Sequence, residues 1–143
     1  MKDLDLAKKE LYENNLTLVI VKNGKILFQT DSHRISGFLD AIEKYGQNLE
    51  EASIADRVVG KAVALLCVYA KIKEVYASVL SQKAQSVLKE NQIGCQWKEL
   101  VENVLNIEKT GLCPFEKTAA NISNSQQAYQ TFRRLREQLQ SAK

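Results

Sequence analysis

Leu16-Thr17-Leu18-Val19-Ile20-Val21-Lys22-Asn23-Gly24-Lys25-Ile26-Leu27-Phe28 is the stretch on which the fold turns. β-branched residues crowd its first half and favour extended backbone. Asn23-Gly24 supplies two residues that tolerate the positive φ angles of a two-residue turn, so Lys25 to Phe28 is the returning strand of a hairpin. On the N-terminal side, Leu4, Ala7 and Leu11 recur at helical spacing with Lys8, Lys9 and Glu10 on the other side, the pattern of a short amphipathic helix covering an edge of the sheet.

On the C-terminal side, a polar stretch Asp31-Ser32-His33-Arg34 reads as a solvated loop, and Phe38, Leu39, Ile42 and Tyr45 form a helical stripe closed by Gly46. Ser53-Ile54-Ala55-Asp56 matches a capping box and predicts a buried helix with Val58, Val59, Ala62, Val63, Leu66, Cys67 and Ala70 on a wide apolar face. Gly60 inside that helix costs about 1 kcal/mol relative to Ala and implies close backbone packing. Val75 to Leu80 reads as a central strand buried on both faces. Ser81 caps a further helix carrying Ala84, Val87 and Leu88, which closes at Asn91 to Gly94.

Cys95 to Leu100 is a strand candidate, while Trp97 to Ile107 suits either a strand or a helix. Pro114, the only proline, suits the first turn of a helix. A last helix from about Ser125 to Leu139 buries Ala128, Phe132, Leu135 and Leu139, with Arg133, Arg134 and Arg136 complementing its dipole. The order of elements describes one three-layer α/β/α domain over residues 1–143, with a mixed sheet that opens on an antiparallel hairpin and continues by parallel crossovers.

Composition narrows the function classes. The 143 residues are 45% hydrophobic and 26% charged, ordinary for one globular domain. A net charge of +3 is too small an excess to imply nucleic acid or a membrane surface as partner. No apolar run approaches the roughly 20 residues of a membrane span. The Lys-rich N-terminus lacks the apolar stretch of a secretory signal, so a cytoplasmic location is expected. Cys67, Cys95 and Cys113 include no pair at metal-ligand spacing, and His33 is the single histidine, so neither a disulfide framework nor a metal or other cofactor is expected.

The hairpin Leu18 to Phe28, the stretch Ala55-Asp56-Arg57-Val58-Val59-Gly60-Lys61-Ala62 and the strand and helix of Val75 to Leu88 resemble the core of the cytidine deaminase superfamily. With Gly111-Leu112-Cys113-Pro114-Phe115-Glu116 as its most distinctive stretch, the whole chain is similar to a bacterial family of unknown function with a cytidine-deaminase-like fold. The resemblance implies that fold and, because members often assemble, a homodimer. Deaminases of the superfamily hold zinc with a His or Cys at one helix start and two Cys at the next, and a Glu two residues after the first ligand moves protons. By resemblance those slots hold Asp56, then Val58 in place of the Glu, and Ser81-Gln82-Lys83-Ala84 in place of the paired cysteines. Such a set neither cages zinc nor transfers a proton, so zinc-dependent deamination is not expected.

What remains is an anion-binding crevice. Helix starts at Asp56 and Ser81 meet on this architecture near the carboxyl ends of the strands, where free amides favour anions. Lys83 adds a cation, and Arg57 with Lys61, spaced i to i+4, line one side. A nucleotide or similar anionic small molecule is the expected ligand. The alternative is that Asp56 and Ser81 are plain caps and the cations are solvated.

Cys113-Pro114-Phe115-Glu116 places a thiol just before a helix, where the dipole favours thiolate. Cys113 and Glu116 are expected to come back over the same crevice as Asp56 and Ser81 and to join its ligand-binding residues, and a second function class follows: a metal-free enzyme with Cys113 as nucleophile and Glu116 or Asp56 handling protons. Glu116, an anion three residues on, opposes it by raising the thiol. A third class, an interaction module, rests on Arg133, Arg134 and Arg136 of the last helix, whose simpler reading is a solvated face. Tyr69, Tyr76 and Trp97 read as packing residues, and Cys67 and Cys95 as small apolar fillers.

Overall fold

A computed structural model describes residues 2–32, 35–102 and 114–141. The hairpin forms as its turn chemistry dictates: β1 (Leu18–Lys22) pairs antiparallel with β2 (Lys25–Thr30), and Asn23 and Gly24 take φ of 53° and 78°. α1 (Asp3–Glu13) clamps that turn, because the Asp3 carboxylate accepts the amides of Asn23 and Gly24, both at 2.9 Å. Its buried stripe of Leu4, Ala7 and Leu11 packs on Val19, Val21, Ala55 and Tyr76, one face of the sheet.

The sheet has five strands in the order β2-β1-β3-β4-β5. β3 (Ser53–Val59) pairs antiparallel with β1, then parallel with β4 (Glu74–Ser81), which pairs parallel with β5 (Gly94–Val101). The other face carries the larger core under α2 (Ser36–Tyr45), α3 (Lys61–Ala70), α4 (Gln82–Glu90), α5 (Pro114–Ala119) and α6 (Ser125–Ser141). Two hydrophobic layers therefore flank one mixed sheet, the three-layer arrangement expected from the order of elements.

Three local expectations are corrected. Ser53 to Val59 is a strand and not the start of a helix, because its backbone groups complete ladders with β1 and β4 on both sides. The apparent capping box is used otherwise: the Ser53 hydroxyl bonds Glu74 across the ladder at 2.9 Å. Gly60 lies outside the helix as its N-cap, in extended backbone, and α3 begins at Lys61. The third concerns α6, where Ala128 and Phe132 are buried but Leu139 is 36% exposed. Arg133 and Arg136 do not serve the dipole of α6 alone, because both pair with α2, Arg136 with Asp40 at 2.6 Å and both arginines with Glu43.

Other expectations hold. The open choice at Trp97 resolves to strand as far as Val101, while Asn103 to Ile107 lie outside the described residues. Pro114 opens α5, and Ser81 caps α4, its Oγ accepting the Ala84 amide at 3.0 Å.

Candidate functional site

The start of α3 is where an anion would be held, and the chain holds one there itself. Gly60 has no side chain to cap the first turn, so the free amides of Lys61 and Ala62 need another acceptor. Glu116, 55 and 54 residues away, supplies both: Oε2 accepts from Lys61 at 3.0 Å and Oε1 from Ala62 at 2.7 Å. The carboxylate is buried, and α5 is anchored beside it by Phe115, whose ring meets Phe132 of α6 edge to face at 6.0 Å. A charge-assisted pair of bonds at the positive end of a helix is a strong intramolecular lock.

The residues expected to share one crevice divide between the two sides of the sheet. Arg57 points to the α1 side, where Nε donates to the Leu16 carbonyl at 2.8 Å and Nη2 to the Leu11 carbonyl at 3.0 Å. It is not the i to i+4 partner of Lys61, because a strand residue and a helix residue replace the single helix on which that spacing rested. Asp56 caps no helix either; it lies mid-strand on the α3 side, with Oδ1 accepting its own strand's Val58 amide at 3.3 Å. Burial pushes its carboxyl up to about 7, against the pull of the Val58 and Arg57 amides.

Lys61 and Lys83 do come together. They line a cavity of about 560 Å³ between α3, α4 and the α5–α6 connection, with Ser86, Glu90, Asn91, Ser123, Asn124 and Ser125 as its polar lining. Lys61 Nζ also reaches the Ala120 carbonyl at 3.4 Å. Ser81 is buried and its hydroxyl is committed to the cap of α4. Cys113 lies outside the described residues.

Burial raises the Cys67 thiol well above its ordinary value, with the charges of Asp56 and Cys95 adding to it, and burial pushes Cys95 up to about 11. Neither thiol is activated.

A family model described as a domain of unknown function, DUF1893, matches residues 6–136. The chain belongs to the DUF1893 family. Its structure is similar to the crystal structure of a DUF1893 family protein from Thermotoga maritima, with a TM-score of 0.80 and 24% identity over 92% of this chain and 89% of that one. It also matches a dCMP deaminase from the cyanophage S-TIM5, with a TM-score of 0.50 and 15% identity over 66% of this chain and 93% of that one. The DUF1893 fold is therefore cytidine-deaminase-like. Among curated proteins none matches the sequence.

A deaminase-like fold implies zinc, and this DUF1893 chain can be tested for the fit. The first two α-helix starts after the hairpin are those of α2 at Ser36 and α3 at Lys61, so Asp56 and Val58, assigned to ligand and proton-shuttle slots by resemblance, sit in a strand instead. The first turn of α3 presents Lys61, Ala62, Val63 and Ala64, without a thiol or imidazole, and the Glu116 carboxylate already takes its amides. These residues do not fit a zinc ion. Among the described residues, no three His, Cys, Asp or Glu side chains are grouped to share a metal. Among them, too, no helix is long and apolar enough to cross a membrane.

Sequence reasoning missed Glu116 as the cap of α3. Its only local signal was an acidic residue in the first turn of a proline-led helix, which reads as a contribution to that helix's own dipole.

Proposed function

We propose that this chain is a zinc-free deaminase-like domain that binds a nucleotide or similar anionic small molecule in the cavity between α3 and α4, without hydrolytic deamination. The observation that carries the reading is the convergence of Lys61 and Lys83 on one cavity of about 560 Å³, within the range of small-molecule sites. Two ammonium groups suit a phosphate as point charges. Glu90 and the amides and hydroxyls of Asn91, Asn124, Ser86 and Ser123 add acceptors and donors for a base or a ribose.

The nucleophilic alternative loses its proton carriers in this geometry. Both Glu116 oxygens accept backbone amides, and Asp56 lies within the sheet under α3. Binding is accordingly the preferred class.

Thermal shift across a panel of nucleoside mono-, di- and triphosphates tests it. At a hundred times its Kd a ligand adds about 2.7 kcal/mol, which raises Tm by roughly 10 °C for a chain of this size. The Lys61→Gln/Lys83→Gln double variant is expected to keep its unliganded Tm within about 2 °C, since Lys83 is exposed and half-buried Lys61 makes only one long bond through its ammonium group, and to lose about tenfold or more in affinity. No stabilisation at millimolar nucleotide, or equal stabilisation of the double variant, removes the proposal.

A further inference from the structure

The opposite face of the sheet carries a second polar cluster. Tyr12, near the end of α1, places its hydroxyl 2.6 Å from that of Tyr76 and 2.6 Å from the Ser78 hydroxyl, both on β4. The two phenol rings meet edge to face at 6.0 Å. Three cations surround them: the Arg57 guanidinium lies 4.8 Å from the Tyr12 ring centre, Lys8 Nζ lies 4.8 Å from the Tyr76 ring centre, and Lys98 reaches in from β5. Among the described residues none of these cations is in an ion pair.

Arg57 is fixed by its two backbone carbonyls, so its charge is preorganised without a counterion. Tyr12 is 38% exposed, which leaves the cluster open to solvent. Among the described residues α1 packs on β1, β3 and β4, and Lys98 on β5 is exposed.

We infer that the Tyr12–Tyr76–Ser78 hydroxyl cluster, ringed by Lys8, Arg57 and Lys98, is a binding site for an oxyanion of the phosphate or sulfate class. Hydroxyls supply directed donors, and the cations supply the charge that a tetrahedral oxyanion requires. Burial works to raise the Tyr12 phenol, but the bonds to Ser78 and Tyr76 and the charges of Lys98 and Arg57 overcome it and bring it below its ordinary value. Burial and the bond to Tyr12 push Tyr76 up to about 12, so Tyr76 stays protonated when Tyr12 ionises. Three hydroxyl protons share two hydroxyl–hydroxyl contacts, which leaves one proton, that of neutral Tyr12 in this assignment, for the anion. Binding and loss of that proton are antagonistic, and an anion held there must raise the Tyr12 phenol.

Tyrosinate absorbance, titrated with base in sodium sulfate and in sodium chloride of equal ionic strength, reads this linkage. Sulfate is a suitable probe because its charge is constant over the range. The lowest of the tyrosine transitions is expected to move up in sulfate relative to chloride, and to be missing in Tyr12→Phe. In Lys8→Gln/Lys98→Gln, which alters two exposed side chains only, sulfate affinity is expected to fall about tenfold. An equal shift in chloride would show general screening and overturn the inference, as would an undiminished shift in the Lys8/Lys98 variant. Lys61→Gln/Lys83→Gln is expected to retain the sulfate shift; losing it would place the anion on the other face and sink the assignment. Nucleotide binding at that other face is read separately and stands or falls by itself.

Discussion

Glu116→Ala is expected to lower the unfolding free energy by about 3 kcal/mol, seen as a drop in Tm of roughly 10 °C or a matching fall in the urea midpoint. The substitution removes both acceptors of the Lys61 and Ala62 amides at a helix start that has no side-chain cap of its own. Hydrogen bonds to a charged group contribute about 1.5–3 kcal/mol each, and an amide left buried without a partner adds its own desolvation cost. Glu116→Gln retains one acceptor oxygen and loses the charge, so about half the effect is expected. Equal losses in the two variants would show that the charge of the carboxylate sets the stability, whereas a loss in Glu116→Ala with none in Glu116→Gln would assign it to side-chain packing or a single acceptor oxygen. A loss below about 0.5 kcal/mol in both, the size of a surface substitution, would mean water replaces the cap at no cost.

Asp56→Asn is expected to act in the opposite direction, stabilising the protein at pH 8. A carboxyl whose folded pKa is raised from 3.8 to about 7 binds its proton more tightly folded than unfolded. Between those values the folded state carries the extra proton, so stability is highest at acid pH, declines as pH climbs through that window, and is flat above it. A gap of about three units corresponds to roughly 4 kcal/mol at full strength. Asp56 is only part-buried, which brings the expected gain to on the order of 2–3 kcal/mol. Asparagine keeps the acceptor for the Val58 amide while removing the charge. Unfolding measured from pH 4 to pH 8 should show wild type and variant converging at the acid end and separating toward pH 8. A difference independent of pH would exclude titration of Asp56 as its source.

These two carboxylates show where the sequence was legible. The hairpin, α1, the caps at Ser81 and Pro114 and the buried β4 are written in local chemistry: branched side chains, a turn pair at Asn23-Gly24, and periodic apolar residues. Ser53 to Val59 misled because Ser and Asp at capping-box spacing are equally consistent with a strand whose polar residues bond sideways, as Ser53 does to Glu74. The deciding interactions are ladders to β1 and β4, partners more than 20 residues away. With the helix start moved to Lys61, Arg57 left the crevice and joined Tyr12, while Lys61 met Lys83 across α3 and α4.

The amino-acid order alone settled the element types over most of the chain, the antiparallel opening of the sheet and the three-layer class, because each depends on steric and solvation preferences acting within a few residues. Only the tertiary structure decided which face each functional side chain occupies, that Glu116 takes the amides of α3, and that Tyr12, Tyr76 and Ser78 converge under three cations. Those outcomes come from pairings across tens of residues, and a strand register that differs by one position reverses the face of every side chain it carries.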